Sequence, residues 1–288
     1  MSADMWQDLN GIETWLAWGE LRARFASIIE SRFAAWISAD QSHFREQLIF
    51  ALGRFDEGVG IVRYFEQHCI PPPGRNGRAR LLDIGAGNGG VSVAIANCRR
   101  YDVVSLDIVP NNDLYHSRKA LELPVDMTVA TGNKLPFASN SFDVILLLDM
   151  IEHVRHPEQM ASEVMRVLAP GGVCMLTTPP RLRYLLKPDP HFGIRGLLFF
   201  PNAIQRFIVD HIFRRRVRGH LGQLERAYDV EHIFWHVREI TKLFPAAEVD
   251  VLYNRFLHPG SPRFTRWWLE YETRELFWDR IMLRKPAA

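Results

Sequence analysis

Cysteine is scarce in this sequence, which has only Cys69, Cys98 and Cys174 among its 288 residues. Three scattered cysteines form no disulfide framework, and each stands among apolar residues, so we expect reduced thiols and a reducing compartment. The sequence also lacks a run of roughly 18 apolar residues, the length that a membrane-spanning helix requires. Its first ten residues lack the basic and apolar regions of a secretory signal. These absences predict a cytoplasmic protein.

An excess of either charge is absent as well, because 35 basic residues nearly balance 33 acidic residues and leave a net charge of +2. This balance gives no general reason for binding nucleic acid or another polyanion. The hydrophobic fraction is 47% and the charged fraction is 24%, values that exclude a disordered or fibrous chain. A chain of this length can bury a sizeable core, in one large domain or two small ones.

The first 78 residues have a helical pattern. Apolar residues such as Phe25 and Ile29 recur at close to the helix period. A second helix is predicted from Phe44 to Cys69, where a run of three prolines and a glycine follows. We therefore predict a helical N-terminal extension over residues 1–78 and a second domain over residues 79–288. The extension either covers that domain or adds to its core.

From Leu81 onwards, short apolar runs alternate with helical stretches. The predicted strands are 81–84, 103–106, 127–130, 144–148 and 173–177, with two more within 248–256 and 277–283. Helices are predicted over 91–97 and 158–168. Strands without a polar face that alternate with helices indicate a parallel sheet covered on both sides.

Residues 181–230 interrupt this alternation, and we interpret them as an insertion. Nine basic and two acidic residues lie between Arg181 and His220, among many aromatic and aliphatic residues. Three functions stay open for this segment: a lid over a hydrophobic acceptor, contact of residues 195–218 with an anionic membrane, or binding of a phosphate or RNA backbone. The structural alternative is a basic helix whose apolar face packs on the sheet.

A glycine-rich turn after the first predicted strand carries most of the functional information. Gly85, Gly87 and Gly90 fit the G-x-G-x-x-G pattern of dinucleotide-binding proteins. Asp83, at the end of the strand, argues against a pyrophosphate, which its carboxylate would repel, and suits a ligand with a cationic amine. Asp107 ends the second strand, where an acidic residue can accept hydrogen bonds from both hydroxyls of a ribose.

Three further segments follow in the sequence: T-G-N-K-L-P-F at 131–137 with N-S-F-D-V-I at 140–145, L-D-M-I-E-H-V at 148–154, and R-V-L-A-P-G-G at 166–172. Together with D-I-G-A-G-N-G at 83–89 and Asp107, they resemble the motifs of class I S-adenosylmethionine-dependent methyltransferases, in the methyltransferase type-11 group. The resemblance covers roughly residues 77–179. It departs from the family where an acidic residue often precedes the adenine contact, since this chain has Thr131 or Asn133.

The resemblance implies a doubly wound α/β fold with a mostly parallel seven-stranded sheet in the order 3-2-1-4-5-7-6, the seventh strand antiparallel. It implies S-adenosyl-L-methionine as the cofactor. The implied cofactor-binding residues are those of the glycine turn and of the strand ends beside it: Asp83, Gly85, Ala86, Gly87, Gly89, Asp107, Ile108, Gly132, Asn133 and Asp149.

Two histidines are candidates for a general base that removes a proton from a hydroxyl acceptor. His153 follows the fourth strand, at the edge where open α/β sheets bind ligands, although it can instead start a helix and brace the pocket. His191 lies in a Pro- and Gly-rich loop after the fifth strand, and a structural role is its alternative. Asp149, Glu152 and His153 also resemble a divalent-cation pattern of quinone-biosynthesis O-methyltransferases, but we predict no metal.

We therefore expect an S-adenosylmethionine-dependent methyltransferase that O-methylates a small or lipid-like acceptor, in the cytoplasm or at the membrane periphery. Three other functions stay open: an NAD-dependent oxidoreductase, an RNA methyltransferase, and a non-catalytic methyltransferase-like partner protein. Nucleic acid is not an expected partner, because no Asn/Asp-Pro-Pro-Tyr/Phe motif follows the fourth strand. The oligomeric state stays open.

Overall fold

A central sheet organises the computed structural model, which describes residues 12–33, 41–68, 77–180, 194–212, 234, 237–252 and 280–287. The strands are β1 (Ala79–Ile84), β2 (Tyr101–Asp107), β3 (Val125–Val129), β4 (Phe142–Leu148), β5 (Leu168–Thr177), β6 (Glu248–Leu252) and β7 (Arg280–Arg284). The α-helices are α1 (Ile12–Phe33), α2 (Gln41–Gln67), α3 (Gly90–Asn97), α4 (Asn112–Ala120), α5 (Pro157–Val167), α6 (Asn202–Phe207) and α7 (Val237–Thr241).

The order of the strands in the sheet is β3-β2-β1-β4-β5-β7-β6. Strands β1 to β5 pair in parallel, and β7 runs antiparallel to both β5 and β6. The expected strand order and the antiparallel seventh strand are therefore confirmed. This order places β1 and β4 side by side at the centre of the sheet, so the segments that follow them meet at one edge.

The sheet is buried on both faces. Leu81, Val103 and Val144 point into one apolar cluster with α1, α2 and α3. Their neighbours Leu82 and Ile145 point into a second cluster with α5 and α7. Because successive residues of a strand face opposite sides, a continuous apolar run is required where both sides are covered. The prediction of a parallel sheet with helices on both faces is confirmed.

The N-terminal helix α2 packs closely on α3, the helix that begins at the glycine turn. A Cβ atom on Gly58 would lie 2.8 Å from the Cβ of Ala94, and one on Gly90 would lie 2.7 Å from the carbonyl oxygen of Ala51. Phe55 of α2 is fully buried in the same cluster as the sheet. Helices α1 and α2 therefore add to the core of the sheet, while the division of the chain at residue 78 stays a prediction.

The predicted boundary between the helix at 158–168 and the strand at 173–177 differs from the structure. Leu168, predicted as the last residue of a helix, is the first residue of β5, because its ψ angle of 131° is extended. Strand β5 therefore begins five residues before the predicted Val173.

Most of the predicted insertion, with His191, lies outside the described residues, which contain its segment 194–212. None of the helices in the described segments is both long and apolar enough to cross a membrane.

Candidate functional site

Acidic residues collect at the carboxyl edge of the central strands. Asp83 lies at the end of β1, Asp107 ends β2, and Asp149 follows β4. Since these three strands are parallel neighbours, their carboxyl ends meet on the same side of the sheet, and open α/β sheets bind ligands there. The structure thus brings together three residues that are spread over 66 positions of the sequence, from Asp83 to Asp149.

The turn between β1 and α3 depends on its glycines. Gly85, Gly87 and Gly89 have φ angles of +78°, +54° and +81°, in the left-handed region that disfavours side chains. A Cβ atom on Gly85 would also lie 2.8 Å from the sulfur of Met150, beyond the end of β4. The N–H groups of Gly85 and Ala86 both donate to the carbonyl of Leu106, at 2.8 and 3.2 Å. The turn is therefore tied to β2 by its backbone.

Asp83 lies beneath this turn with 2% of its surface exposed. Its Oδ2 accepts a hydrogen bond of 2.6 Å from the Ser92 hydroxyl of α3, which contacts the Ser105 hydroxyl at 2.6 Å. Burial raises the pKa of Asp83 to about 6, although the Ser92 hydrogen bond and the charge of Arg54 both lower it. A cationic group beside Asp83 would compensate for this burial.

Asp107 holds the middle of the glycine turn. Its Oδ2 accepts from the N–H of Gly87 at 2.9 Å, and its Oδ1 accepts from the N–H of Ile108 at 2.7 Å. Each carboxylate oxygen can accept two hydrogen bonds, so Oδ2 retains one acceptor position. Ile108 and Val129 beside it are 63% and 57% exposed. The end of β2 thus combines an anionic acceptor with an apolar surface.

Gly132 and Asn133 follow β3 at the same edge. A Cβ atom on Gly132 would lie 2.0 Å from the terminal methyl of Met160 in α5, so this flexible side chain would have to move for a larger residue. The N–H of Asn133 donates to the Thr131 hydroxyl at 3.3 Å. Its Oδ1 is buried and has no hydrogen-bond partner among the described residues. An unpartnered buried amide oxygen favours a ligand with a donor group at this position.

The segment after β4 has a strained backbone. Asp149 has a φ angle of +50°, and its N–H donates to the carbonyl oxygen of Thr177 at 2.9 Å. The Thr177 hydroxyl in turn donates to Asp149 Oδ1 at 3.0 Å. His153 is half-buried at the end of a single 3-10 turn (Ile151–His153), in which its N–H donates to the Met150 carbonyl at 3.0 Å. His153 therefore lies after β4 at the carboxyl edge of the sheet, as expected, while its role as a base stays a prediction.

Arg54 of α2 reaches this edge, although the sequence reasoning did not select it. Its Nη1 contacts Glu57 at 2.6 Å and Asp149 at 3.2 Å, and its Nη2 donates to the Leu148 carbonyl at 3.0 Å. The sequence signal that was available is Gly58, since a glycine within an apolar helix is typical of a close helix contact. That signal locates the helix contact but does not identify the arginine.

Glu152 is the most deeply buried acid after β4, with 4% of its surface exposed. Its Oε2 has no hydrogen-bond partner within the described ranges. Burial and the neighbouring charge of Asp149 raise its pKa to about 8, so Glu152 is largely protonated at neutral pH. The described residues contain no cluster of three or more histidines, cysteines and acids with the geometry of a metal site.

A family model described as "Methyltransferase domain" matches residues 82–176, from β1 to β5. This match supports a class I S-adenosylmethionine-dependent methyltransferase domain over these residues. The order of the strands and the glycine turn agree with this assignment. S-adenosylmethionine is the cofactor of this type of domain.

Curated relatives of the methyltransferase domain include enzymes of quinone biosynthesis. A ubiquinone/menaquinone biosynthesis C-methyltransferase of Desulfotalea psychrophila is 32% identical over 140 residues, which are 48% of this chain and 56% of the relative. A ubiquinone biosynthesis O-methyltransferase of Psychrobacter arcticus is 32% identical over 110 residues, 34% of this chain and 40% of the relative. The chain thus spans about half the length of these curated relatives.

A solved structure of a Haemonchus contortus N-methyltransferase, in complex with phosphomonomethylethanolamine and S-adenosylhomocysteine, is similar in fold. Its TM-score is 0.51 at 16% identity, and the likeness covers 86% of this chain and 59% of that chain. An identity this low shows the methyltransferase fold alone.

Proposed function

We propose that this protein transfers the methyl group of S-adenosylmethionine to an oxygen atom of a small or lipid-like acceptor. The observation that carries the proposal is the arrangement of Asp107 at the glycine turn, with one acceptor position left on Oδ2. A ribose hydroxyl can donate to this position while the Gly87 N–H keeps its bond. NAD also contains a ribose, but the buried Asp83 below the turn opposes a pyrophosphate.

The remaining residues of the site fit the other parts of the methyl donor. Asp83 complements a cationic amine, because an opposite charge stabilises its buried carboxylate. Asn133 Oδ1 can accept from the exocyclic amine of adenine, and Ile108 provides an exposed apolar surface for the ring. The sulfonium centre supplies an activated methyl group, so the protein must orient the acceptor and remove its proton.

His153 is the proposed general base. Its half-buried position directly after β4 places it at the edge shared with the cofactor-binding residues. An imidazole titrates near neutral pH, and general-base assistance contributes about 10²–10⁴-fold to a rate. His191 stays a second candidate, although it lies outside the described residues. The named relatives act in quinone biosynthesis, which supports an apolar aromatic acceptor.

The segment around α6 supports contact with an anionic membrane. Its exposed apolar residues recur at helical spacing: Phe200, Ile204, Phe207 and Ile212 are 45% to 64% exposed. Arg195 and Arg206 are exposed in the same segment. Apolar residues beside basic residues are typical of helices that lie on anionic lipid.

We expect the protein to sediment with phosphatidylglycerol vesicles but not with phosphatidylcholine vesicles, and Phe207→Glu to reduce this binding.

The deciding experiment uses S-adenosylmethionine with a labelled methyl group, a cell extract and the purified protein. Label in the organic phase supports the lipid-like acceptor, whereas label only in RNA or in the aqueous phase contradicts it. His153→Ala should slow the transfer at least about tenfold while leaving the Kd for S-adenosylhomocysteine unchanged. Tighter binding of NAD than of S-adenosylhomocysteine would favour the oxidoreductase instead.

A further inference from the structure

The glycine turn has few backbone contacts of its own at its centre. Gly85 and Ala86 are tied to the Leu106 carbonyl, and the N–H of Gly89 donates to the carbonyl of Ala86 at 2.9 Å. Gly87, between them, is held through side chains. Its N–H donates to Asp107, and its carbonyl accepts from the side-chain amide of Asn111. Asp107 thus holds the peptide before the Gly87 Cα, and Asn111 holds the peptide after it. Because glycine populates both signs of φ readily, these two side chains define the backbone conformation at Gly87.

Asn111 is the N-cap of α4, and this role determines the orientation of its amide. Its Oδ1 accepts a hydrogen bond of 2.8 Å from the N–H of Leu114, in the first turn of the helix. The NH₂ group must therefore point the other way, towards the carbonyl of Gly87. One side chain thus caps a helix and holds a peptide that lies 24 residues earlier in the chain.

Packing supports the same connection between α4 and the turn. A Cβ atom on Gly89 would lie 2.7 Å from the Cβ of Leu114, so the first turn of α4 lies against the end of the glycine turn. This helix end therefore contacts the turn both at Leu114 and through the hydrogen bond of Asn111.

We propose that Asn111 is a positioning residue for the ribose subsite, an inference that rests on the proposed binding of S-adenosylmethionine. Asn111 holds the Gly87 carbonyl, which belongs to the peptide after this residue, while Asp107 Oδ2 accepts from the N–H of the peptide before it. Without the Asn111 bond, rotation about the ψ angle of Gly87 would displace this residue, and its N–H would no longer hold Asp107 Oδ2. The carboxylate would then turn away from the position that accepts the ribose hydroxyls.

Two substitutions separate the cap from the contact with Gly87. Asn111→Ser and Asn111→Asp both keep an oxygen that can cap α4, but neither has an amide donor for Gly87. Asn111→Ala loses both functions. Asp113→Ala is the matched control, because it removes the 2.5 Å contact between Arg32 of α1 and the first turn of α4 and leaves Asn111 unchanged.

The measurement is the affinity for S-adenosylhomocysteine, adenosine and 2′,3′-dideoxyadenosine, together with the thermal midpoint. We expect Asn111→Ser to raise the Kd for S-adenosylhomocysteine and for adenosine about fivefold, the effect of one lost hydrogen bond. The Kd for dideoxyadenosine should stay the same, so the preference for the ribose hydroxyls falls about fivefold. The thermal midpoint should stay within about 2 °C of the wild type, whereas Asn111→Ala lowers it by about 2–4 °C.

A purely structural role of Asn111 predicts a different result. In that case the preference for adenosine over dideoxyadenosine is unchanged in the folded Asn111→Ser and Asn111→Asp variants, and the positioning role is wrong. If Asn111→Asp fails to fold, Asn111→Ser alone decides the question, since it introduces no charge. A wild-type protein that binds neither S-adenosylhomocysteine nor adenosine would overturn the proposed function and, with it, this inference.

Discussion

The two halves of the candidate site are built in different ways. The glycine-turn half comprises residues 83–111, and the side-chain hydrogen bonds that hold Asp83, Gly87 and Asp107 join residues 9 to 24 positions apart. The β4–β5 half comprises residues 148–153 and 177–178 and depends on Arg54, which lies 95 positions before Asp149. The first half therefore repeats a local motif, whereas the second is completed by a distant helix.

Hydrogen bonding differs between the halves in the same way. In the glycine-turn half, the carboxylates of Asp83 and Asp107 accept bonds from a hydroxyl and from backbone N–H groups. In the β4–β5 half, Glu152 has a buried oxygen without a partner among the described residues, and Asp149 has a strained backbone. Strain and unpaired polar atoms concentrate at functional positions, where a ligand can compensate for them. The glycine-turn half is therefore held by its own hydrogen bonds, whereas the β4–β5 half is less complete.

Removing Asp107 should have the largest effect on the glycine-turn half. Hydrogen bonds to charged groups contribute about 1.5–3 kcal/mol, so we expect Asp107→Ala to raise the Kd for S-adenosylhomocysteine about 30-fold. Asp107→Asn keeps one oxygen acceptor and should have a smaller effect. Isothermal titration calorimetry measures both. An unchanged Kd for Asp107→Ala would contradict the ribose assignment.

Arg54 tests whether the two halves are electrostatically coupled. Its charge lowers the pKa of Asp83, and a protonated Asp83 cannot pair with an ammonium group. The affinity for S-adenosylhomocysteine should therefore fall as the pH falls through about 6, and Arg54→Met should move this loss to higher pH. At pH 5, below the pKa of Asp83 in both proteins, we expect about a tenfold weaker Kd than in the wild type, equivalent to a rise of about one unit in that pKa.

The control for Arg54 is Arg54→Lys, which retains a positive charge. Adenosine serves as the control ligand, because it lacks the ammonium group and should bind with the same pH dependence to all three proteins. Identical pH profiles of S-adenosylhomocysteine binding in the wild type and in Arg54→Met would show that the two halves act independently.

Glu152 affects stability through its raised pKa. Its ordinary pKa is 4.5, and burial raises it to about 8 in the folded protein, so the folded state binds more protons than the unfolded chain between these values. The free energy of unfolding should consequently fall as the pH rises from about 4.5 to 8. Glu152→Gln cannot ionise and should be more stable than the wild type at pH 9, by on the order of 1 kcal/mol.

Thermal unfolding of the wild type and Glu152→Gln from pH 5 to pH 9 measures this difference. The two midpoints should be closest at pH 5 and diverge progressively up to about pH 8, above which Glu152 is ionised in the folded state as well. Parallel curves over the whole range would mean that Glu152 ionises normally in the folded protein.

Asn133 should have the smallest effect. Its Oδ1 is proposed to accept one hydrogen bond from the adenine amine, and a neutral hydrogen bond contributes about 1 kcal/mol. We therefore expect Asn133→Ala to weaken adenosine binding about fivefold. Inosine lacks the amine and carries an oxygen in its place, so its Kd should be unaffected or improved. Equal losses for both nucleosides would place the adenine contact elsewhere.

Sequence reasoning located the strands of the central sheet to within a few residues, except for the start of β5. Continuous apolar runs are required where a strand is covered on both faces, so the pattern of Val144–Leu148 was already informative. The segment before Val173 did not indicate a strand, because the alanine, proline and two glycines at 169–172 do not have the composition of one. Leu168 nevertheless pairs with β4, and Val173 pairs with both β4 and β7, so both residues belong to β5.

The residues of the candidate site also differ in whether the sequence could identify them. Asp83, the three glycines and Asp107 could be selected from the sequence, because a turn with left-handed glycines and a carboxylate at a strand end have local signatures. Their roles in cofactor binding stay predictions. Arg54 and Asn111 could not be selected, since their contacts depend on how α2 and α4 pack against the turn.

The strand–helix alternation and the glycine turn follow from the sequence alone, because periodicity and backbone freedom depend on neighbouring residues. The contacts of Arg54 with Asp149 and of Asn111 with Gly87 come from the three-dimensional packing of the helices. This packing also buries Asp83 and Glu152 deeply enough for their pKa values to rise. The physical reason is that burial and charge pairing depend on distances in space, which the packing of the helices on the sheet establishes.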